Sequence, residues 1–160
     1  MNFKQTLDKQ PVFEIISEAA ATLKLDTYAV GGYVRDLLLK RPSKDIDVVC
    51  VGDGIRLARE VAALVEKYES VPTPVAVFKN FGTAMLRFRE FEVEFVGARK
   101  ESYRTDSRKP EVSIGTLEDD QKRRDFTINA LAISLNQADF GLLVDPFDGI
   151  KDLKKKLLRT

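Results

Sequence analysis

The sequence predicts an α/β fold of the α+β kind, in which helices pack on a small mixed β-sheet. Residues 11–25 and 55–68 carry apolar side chains at the three- and four-residue spacing of amphipathic helices. Several short runs rich in β-branched and aromatic residues lie around them, as is typical of strands. The chain has 160 residues, of which 44% are hydrophobic, so a single domain with a buried core is expected.

The first half of the chain predicts strands and helices that follow each other closely. Pro11 suits the first turn of a helix, the Arg41-Pro42 pair ends another, and Asp53 is a candidate N-cap. The predicted elements are a helix at 11–25, a strand at 27–30, a helix at 33–40, a strand at 45–51 and a helix at 55–68.

The second half predicts three strands and then less regular structure. Residues 99–115 are rich in charge and show no clear period, which indicates a mobile loop. The last predicted helix reaches Thr160 without a Gly or Pro stop, so we expect the chain to be the N-terminal part of a longer protein. The predicted elements are strands at 75–78, 83–88 and 91–96, a helix at 120–135, an extended piece at 142–144, a turn at 146–149 and a helix at 150–158.

Composition excludes several kinds of site. The chain contains no His, which removes Ser-His-Asp triads, His-ligated zinc and His general bases. Its one cysteine, Cys50, cannot form an internal disulfide and lies among valines, so we expect a buried thiol in a protein of the reducing cytoplasm. The sequence has no apolar run of roughly 18 residues and no signal-peptide core, so we expect no membrane span.

A glycine pair, Gly31-Gly32, stands between a predicted strand and a predicted helix. Glycine allows a sharp turn and a close approach of a ligand to the main chain, and the first turn of a helix presents free N–H groups to a phosphate. Arg35, one turn further on, has a side chain that binds phosphates and carboxylates. A plain strand–turn–helix junction with an Arg35–Asp ion pair is the alternative, because short glycine motifs are weak evidence.

Two acidic residues, Asp45 and Asp47, are separated by Ile46 in a predicted strand. Side chains two residues apart on a strand share one face, so these carboxylates point the same way and repel each other unless a cation neutralises them. Mg²⁺ prefers such oxygen ligands. The alternative is an exposed strand edge with Lys44 as the counter-charge.

The spacing of these two motifs brings them together. One short helix and a turn separate Gly32 from Asp45, which allows the second strand to return beside the first. A phosphate-binding bend next to a divalent-metal site is what polyphosphate chemistry requires. The combination therefore indicates such chemistry more strongly than either motif alone.

Three segments resemble one known family. The segment GGYVRDLLLKRPSKDIDVV (31–49) resembles the signature of class II CCA-adding enzymes (tRNA nucleotidyltransferases) and bacterial poly(A) polymerases. RRDFTINAL (123–131) resembles their RRDFTINA segment, and DPFDG (145–149) resembles their DPFDG turn. The resemblance implies the nucleotidyltransferase fold for residues 1–160, as the N-terminal head domain of an enzyme whose helical neck, body and tail are absent from this chain.

The resemblance also implies roles for individual residues. Asp125 and Asn129 are four residues apart and would share a helical face, although a capped helix start with solvated charges is the alternative. By resemblance, Asp45 and Asp47 would bind two catalytic Mg²⁺ ions. Gly31, Gly32 and Arg35 would contact the NTP triphosphate or brace the bend. Arg124 would contact the phosphates, and Asp125 and Asn129 would contact the ribose.

A third catalytic carboxylate is implied on a neighbouring strand, and Glu94 is our candidate. Glu92 shares its strand face and is the rival, while an exposed strand face without a catalytic role is the alternative to both. Asp148, in the DPFDG turn, is interpreted as a turn and N-cap residue.

The implied function is template-independent transfer of nucleoside monophosphates from CTP and ATP to the 3′ end of tRNA, with release of pyrophosphate. The implied partners are NTP and tRNA, without DNA or membrane. A poly(A) polymerase and a non-catalytic nucleotide-binding module remain open as alternatives. Because the net charge is only +1, we expect much of the RNA contact to lie outside this chain and the chain alone to bind NTP weakly.

Overall fold

The computed structural model describes residues 2–103, 110–114, 116–122 and 130–155. A seven-stranded mixed sheet forms its centre, which confirms the predicted α/β architecture. The helices are α1 (Lys4–Asp8), α2 (Pro11–Leu23), α3 (Gly32–Leu38), α4 (Gly54–Glu69), α5 (Leu117–Lys122) and α6 (Gly149–Lys154). The strands are β1 (Thr27–Val30), β2 (Asp45–Cys50), β3 (Ala76–Phe78), β4 (Thr83–Phe88), β5 (Phe91–Gly97), β6 (Arg99–Tyr103), β7 (Pro110–Ile114), β8 (Ala132–Ser134) and β9 (Leu143–Val144).

The strands of the large sheet follow the order β3-β4-β5-β2-β1-β8-β9. Strand β2 runs parallel to β5, and all other neighbours in this sheet are antiparallel. Strand β2 therefore lies in the middle, between β1 and β5. In the parts of the chain that the structure describes, no helix is long and apolar enough to cross a membrane.

Helices α2 and α4 cover one face of the sheet with the main apolar core. Pro11 occupies the first turn of α2, as predicted. The predicted cap of α4 is also confirmed, because the Asp53 carboxylate accepts hydrogen bonds from the backbone N–H groups of Ile55 (3.0 Å) and Arg56 (3.2 Å). The main core includes Ile46, Val48 and Phe95, which are fully buried.

The opposite face of the sheet carries a smaller apolar cluster. Its buried members come from β1, β2, β8 and the residue after β5, and Leu117 of α5 packs against them. The partly buried Val96 of β5 and Val144 of β9 also pack against this cluster. The buried members are Val30, Val49, Ala98 and Ala132.

Two predicted elements are wrong. The mobile loop predicted at 99–115 contains the hairpin formed by β6 and β7. Its many charged residues obscure the two-residue period by which a strand is recognised in a sequence. The helix predicted at 120–135 is wrong at its C-terminal end, because Ala132–Ser134 forms β8; residues 120–122 belong to α5, and 123–129 lie outside the described residues. Pairing of β8 with β1 on one side and β9 on the other overrides its local helical pattern.

Asp148 is the N-cap residue of α6, as predicted, but the capping hydrogen bonds go to another acid. Asp148 occupies the N-cap position, with a φ of 55°, but its side chain makes no capping hydrogen bond. The Asp145 carboxylate accepts instead from the N–H groups of Gly149 (2.7 Å) and Ile150 (3.0 Å). The first residue of the DPFDG turn is therefore its structural anchor.

Candidate active site

Asp45 and Asp47 project from β2 on the side of the sheet opposite the main core. Ile46 between them is fully buried in that core, and strand alternation places both acids on the other face. Asp45 is exposed and Asp47 is partly buried. The predicted shared face is thus present, and it continues into the smaller apolar cluster at Val49.

The strand register separates the two candidates for a third carboxylate. Glu94 lies directly beside Asp47 in the parallel β2–β5 pair, and Glu92 lies beside Asp45. Across β4, Glu92 faces Arg87 whereas Glu94 faces Met85. A basic residue therefore stands opposite Glu92 and none stands opposite Glu94, which favours Glu94 as the partner of Asp47.

These acids suit a small divalent cation by their chemistry. Mg²⁺ is commonly bound through one or two carboxylates together with substrate phosphates, and Asp45 and Asp47 supply two such groups on one face. Within the described ranges, no group of three or more acidic or cysteine side chains is already placed to hold a metal ion. The residues therefore fit a cation that takes its remaining ligands from a phosphate substrate.

The alternative counter-charge for Asp45 is not observed. No Lys or Arg of the described chain forms an ion pair with Asp45. The contribution of Lys44 to this region is its backbone carbonyl, which accepts from the N–H of Glu92 at 2.8 Å. The Ser43 hydroxyl donates to the backbone carbonyl of Asp45 at 3.2 Å. The Glu92–Lys44 bond holds the start of β2 against β5 through the main chain, whereas the Ser43 bond is local to the start of β2.

The diglycine bend lies next to the acids. Val30, the last residue of β1, pairs with Asp47, and Gly31 follows it at once. Gly31 has φ 72° and ψ −142°, a conformation that is open to glycine and strained for other residues. The chain then enters α3, which packs against β1 and β2.

Arg35 folds back over the start of α3. A Cβ atom on Gly32 would lie 3.3 Å from Arg35 Nη2, so the guanidinium covers the second glycine of the bend. Arg35 Nε also forms an ion pair with Asp36 Oδ1 at 3.3 Å, and the Arg35 side chain remains 35% exposed. The predicted alternative, an Arg35–Asp ion pair, is therefore present, and the Arg35 side chain is partly exposed.

The third predicted motif lies partly outside the described residues. Arg124, Asp125 and Asn129 lie outside the described residues, so their predicted roles rest on the sequence. The structure describes the residues on either side of this motif. The buried Gln121 side chain, before it, donates a hydrogen bond to the backbone carbonyl of Ala130, after it, at 2.8 Å. We did not predict this link, and a single Gln in a charged helix gives no signal for it.

Cys50 has no part in the candidate site. Burial, which is the larger cause, and the negative charge of Asp53, which is the smaller one, raise the pKa of its thiol to about 12. A thiol with so high a pKa is a poor nucleophile near neutral pH. Its predicted role as a small buried apolar residue is confirmed.

Comparison with known proteins gives a consistent result. Residues 27–159 match the family described as "Poly A polymerase head domain". The A-adding tRNA nucleotidyltransferase of Aquifex aeolicus is 43% identical over 136 residues, which cover 85% of this chain and 16% of that protein. This chain therefore spans about a sixth of the length of that relative.

Solved structures give the same result for the fold. A CCA-adding enzyme in its apo form II is 32% identical with a TM-score of 0.85, and the match covers 100% of this chain and 38% of that one. A tRNA nucleotidyltransferase in complex with a primer tRNA and an incoming ATP analog is 39% identical, with a TM-score of 0.74 and coverage of 91% and 38%. The predicted nucleotidyltransferase fold is thereby confirmed, and the chain belongs to the poly A polymerase head domain family.

Proposed function

We propose that this chain is the catalytic head of an enzyme that transfers nucleoside monophosphates from CTP and ATP to the 3′ end of tRNA. The transfer uses no nucleic-acid template and releases pyrophosphate. The observation that carries this proposal is the position of Asp47, which pairs with Val30 beside the diglycine bend on one side and with Glu94 on the other. The names of the relatives, A-adding and CCA-adding enzymes, support the choice of tRNA and of these two nucleotides.

Asp45 and Asp47 are proposed to hold two Mg²⁺ ions, with Glu94 as the third catalytic carboxylate. Bound Mg²⁺ lowers the pKa of an attacking hydroxyl and stabilises the pyrophosphate that leaves. The chain supplies the oxygen ligands on one rigid strand, since Ile46 is fixed in the core between them. Their orientation is therefore set before substrate binds.

The bend and its neighbours are proposed to bind the triphosphate. Gly31 and Gly32 let the main chain turn sharply between β1 and α3, and the partly exposed Arg35 side chain, which lies over Gly32, would neutralise the charge of a phosphate there. The start of β8 lies beside β1, because Ala132 pairs with Val30. The roles proposed for Arg124 at the phosphates and for Asp125 and Asn129 at the ribose rest on the RRDFTINAL segment, which precedes β8 in the sequence.

The experiment that tests this proposal is nucleotide incorporation by the full-length protein. The substrates are tRNA that lacks its terminal CCA and each NTP in turn, with Mg²⁺. We expect Asp47→Ala to lower incorporation by several orders of magnitude while the folded structure is retained, because the loss falls on the transition state. Glu92→Gln is the matched control, since Glu92 shares the strand face but stands opposite Arg87. Incorporation by Asp47→Ala near the unmutated rate would contradict the proposal.

Poly(A) addition is the second candidate function, because the matching family is described as a poly A polymerase head domain. The same incorporation assay distinguishes the two: a tRNA nucleotidyltransferase stops after the CCA end is complete, whereas a poly(A) polymerase continues with ATP alone. A non-catalytic module would bind NTP in a Mg²⁺-dependent manner, lose that binding in Asp45→Asn, and incorporate nothing. A cytoplasmic location is part of the proposal and rests on the single buried cysteine.

A further inference from the structure

The face of the sheet that carries the acids extends across β5 and β4 to the edge strand β3. Along β2, Asp47 is followed on the same face by Val49, which pairs with Val96 of β5. Val96 pairs in turn with Thr83 of β4, and Thr83 with Phe78 of β3. Residues paired in this way point to the same side of a sheet, so Phe78 shares the face of Asp47 and Glu94.

Phe78 and its neighbours form an exposed aromatic and basic turn at this edge. Phe78 is 47% exposed and Phe81 is 66% exposed, and the exposed Lys79 lies between them in the chain. Within the described residues these are the only Phe side chains among the exposed large hydrophobics. Single exposed apolar residues are ordinary, but two phenyl rings and a Lys ammonium in four residues form a surface that suits stacked bases and a phosphate.

The direction from the acids to Phe78 is the one that an incoming RNA strand requires. In an in-line displacement the attacking hydroxyl and the leaving pyrophosphate lie on opposite sides of the phosphorus. The diglycine bend, where the triphosphate is proposed to bind, follows β1 on one side of Asp47. With the triphosphate on the β1 side of Asp47, the opposite side is the one over β5 and β4, and a strand that arrives there extends toward β3.

The distance also suits a short length of RNA. Three strand spacings of about 4.8 Å separate β2 from β3, and Phe78 lies two residues, about 7 Å, further along than Asp47. The two Cα atoms are therefore roughly 16 Å apart, which corresponds to about four or five stacked nucleotides at ~3.4 Å each. The side chains of β4 between them are uncharged: Met85 is partly buried and Thr83 is buried.

We propose that Phe78, with Lys79 and Phe81, forms a stacking subsite for the RNA strand a few nucleotides before its reactive 3′ end. The phenyl rings stack on bases without reading their identity, and Lys79 contacts a phosphate. This inference rests on the proposed function, because it takes the direction of the strand from the reaction at Asp47. It adds a contact that holds the primer in the head domain itself.

Tryptophan fluorescence tests the subsite without any chemistry. This chain contains no Trp, so Phe78→Trp places a reporter at the subsite, and a base that stacks on the indole quenches its emission. We expect single-stranded RNA ending in CC to quench Phe78→Trp. The matched control is Tyr68→Trp: Tyr68 is 50% exposed, has Lys67 against its ring at 5.5 Å, and belongs to α4 on the opposite side of the sheet.

Equal quenching in both variants, or none at Phe78→Trp, would overturn the subsite. In the second case this surface does not bind single-stranded RNA. Incorporation kinetics provide the second measurement. We expect Phe78→Ala to raise KM for the tRNA primer about tenfold while kcat and KM for ATP stay the same, and we expect Phe78→Tyr to restore the primer KM.

The two proposals fail in different ways. If Asp47→Ala keeps full incorporation, the proposed function is wrong whatever the fluorescence shows. If Asp47→Ala is inactive but Phe78→Ala has an unchanged primer KM and an unchanged thermal unfolding temperature, only the stacking subsite is wrong.

Discussion

Gly31 shows how the backbone of one residue constrains this site. Its φ of 72° and ψ of −142° lie in a region that costs a residue with a Cβ about 1–3 kcal/mol. We therefore predict that Gly31→Ala lowers the free energy of unfolding by about that amount, as measured by urea denaturation. The strain falls on the bend itself, so NTP binding should weaken as well.

Gly32 supplies the control for this prediction. It starts α3, and a Cβ there meets only the flexible end of Arg35, at 3.3 Å. Gly32→Ala should therefore keep the stability of the protein, while Arg35 has to move by a few tenths of an ångström. A loss of stability as large in Gly32→Ala as in Gly31→Ala would show that the special backbone of Gly31 is not the cause.

Cys50 gives a prediction about pH. Burial raises the pKa of its thiol from 9.0 to about 12 in the folded chain. The neutral thiol is favoured by folding, so this contribution to stability is complete below pH 9.0 and is lost as the pH rises toward about 12. At pH 8, a thiol reagent should react with the folded protein about a thousandfold more slowly than with the protein in urea.

The control for Cys50 is the Cys50→Ala variant. Its urea midpoint should fall less between pH 9 and 11 than that of the unmutated chain. The raised pKa values of Tyr28 and Tyr33, which burial causes, act in the same direction in both proteins and cancel in the comparison. Equal slopes in the two proteins would contradict the role assigned to Cys50.

Single residues of the site differ in how far the sequence predicts them. The shared face of Asp45 and Asp47 follows from the two-residue period of a strand, and the structure has it. Glu92 and Glu94 obey the same period, so the period alone cannot rank them. Only the pairing of β5 with β2 and β4 separates them, because it puts Arg87 opposite Glu92.

At the scale of an element, the start of α6 depends on Asp145. Its carboxylate accepts two backbone hydrogen bonds, from Gly149 and Ile150. Removing a cap of this kind typically costs about 1 kcal/mol. We predict this loss for Asp145→Ala in urea denaturation, because two N–H groups of the helix lose their acceptor. Asp148→Asn is the control, since Asp148 makes no capping bond and Asn tolerates its left-handed backbone; a greater loss in that variant would refute the assignment.

One element that the sequence predicts poorly, β8, has a pairing partner that is distant in the chain. Helix α4 has both an amphipathic period and a cap at Asp53, and its predicted range differs from the observed one by a single residue at each end. Strand β8 has neither signal: three residues gain their strand conformation from β1, about a hundred positions earlier. The local sequence of Ala132–Ser134 does not indicate this pairing.

At the scale of the whole molecule, cation binding should raise the free energy of unfolding. A ligand that binds only the folded state stabilises it by about 2.7 kcal/mol at a hundredfold excess over Kd. We predict that Mg²⁺ together with ATP raises the thermal unfolding temperature, and that Asp45→Asn removes most of this rise. Without Mg²⁺, Asp45→Asn should be at least as stable as the unmutated chain, because one of two repelling carboxylates is gone.

The measurement is calorimetry at constant ionic strength. KCl in place of MgCl₂ serves as the control, since screening alone would act on both proteins. If Mg²⁺ with ATP raised the unfolding temperature of Asp45→Asn by the same amount, the cation would have to bind elsewhere on the molecule.

The single parallel pair in the large sheet, β2 with β5, has a consequence for how the protein acquires activity. Its two strands are joined by a long crossover that includes α4, β3 and β4, and closing so long a stretch of chain is entropically slow. Asp47 and Glu94 meet only when that closure is complete. A nascent or refolding chain therefore gains its helices well before it gains the paired acids, and catalytic competence coincides with the end of folding.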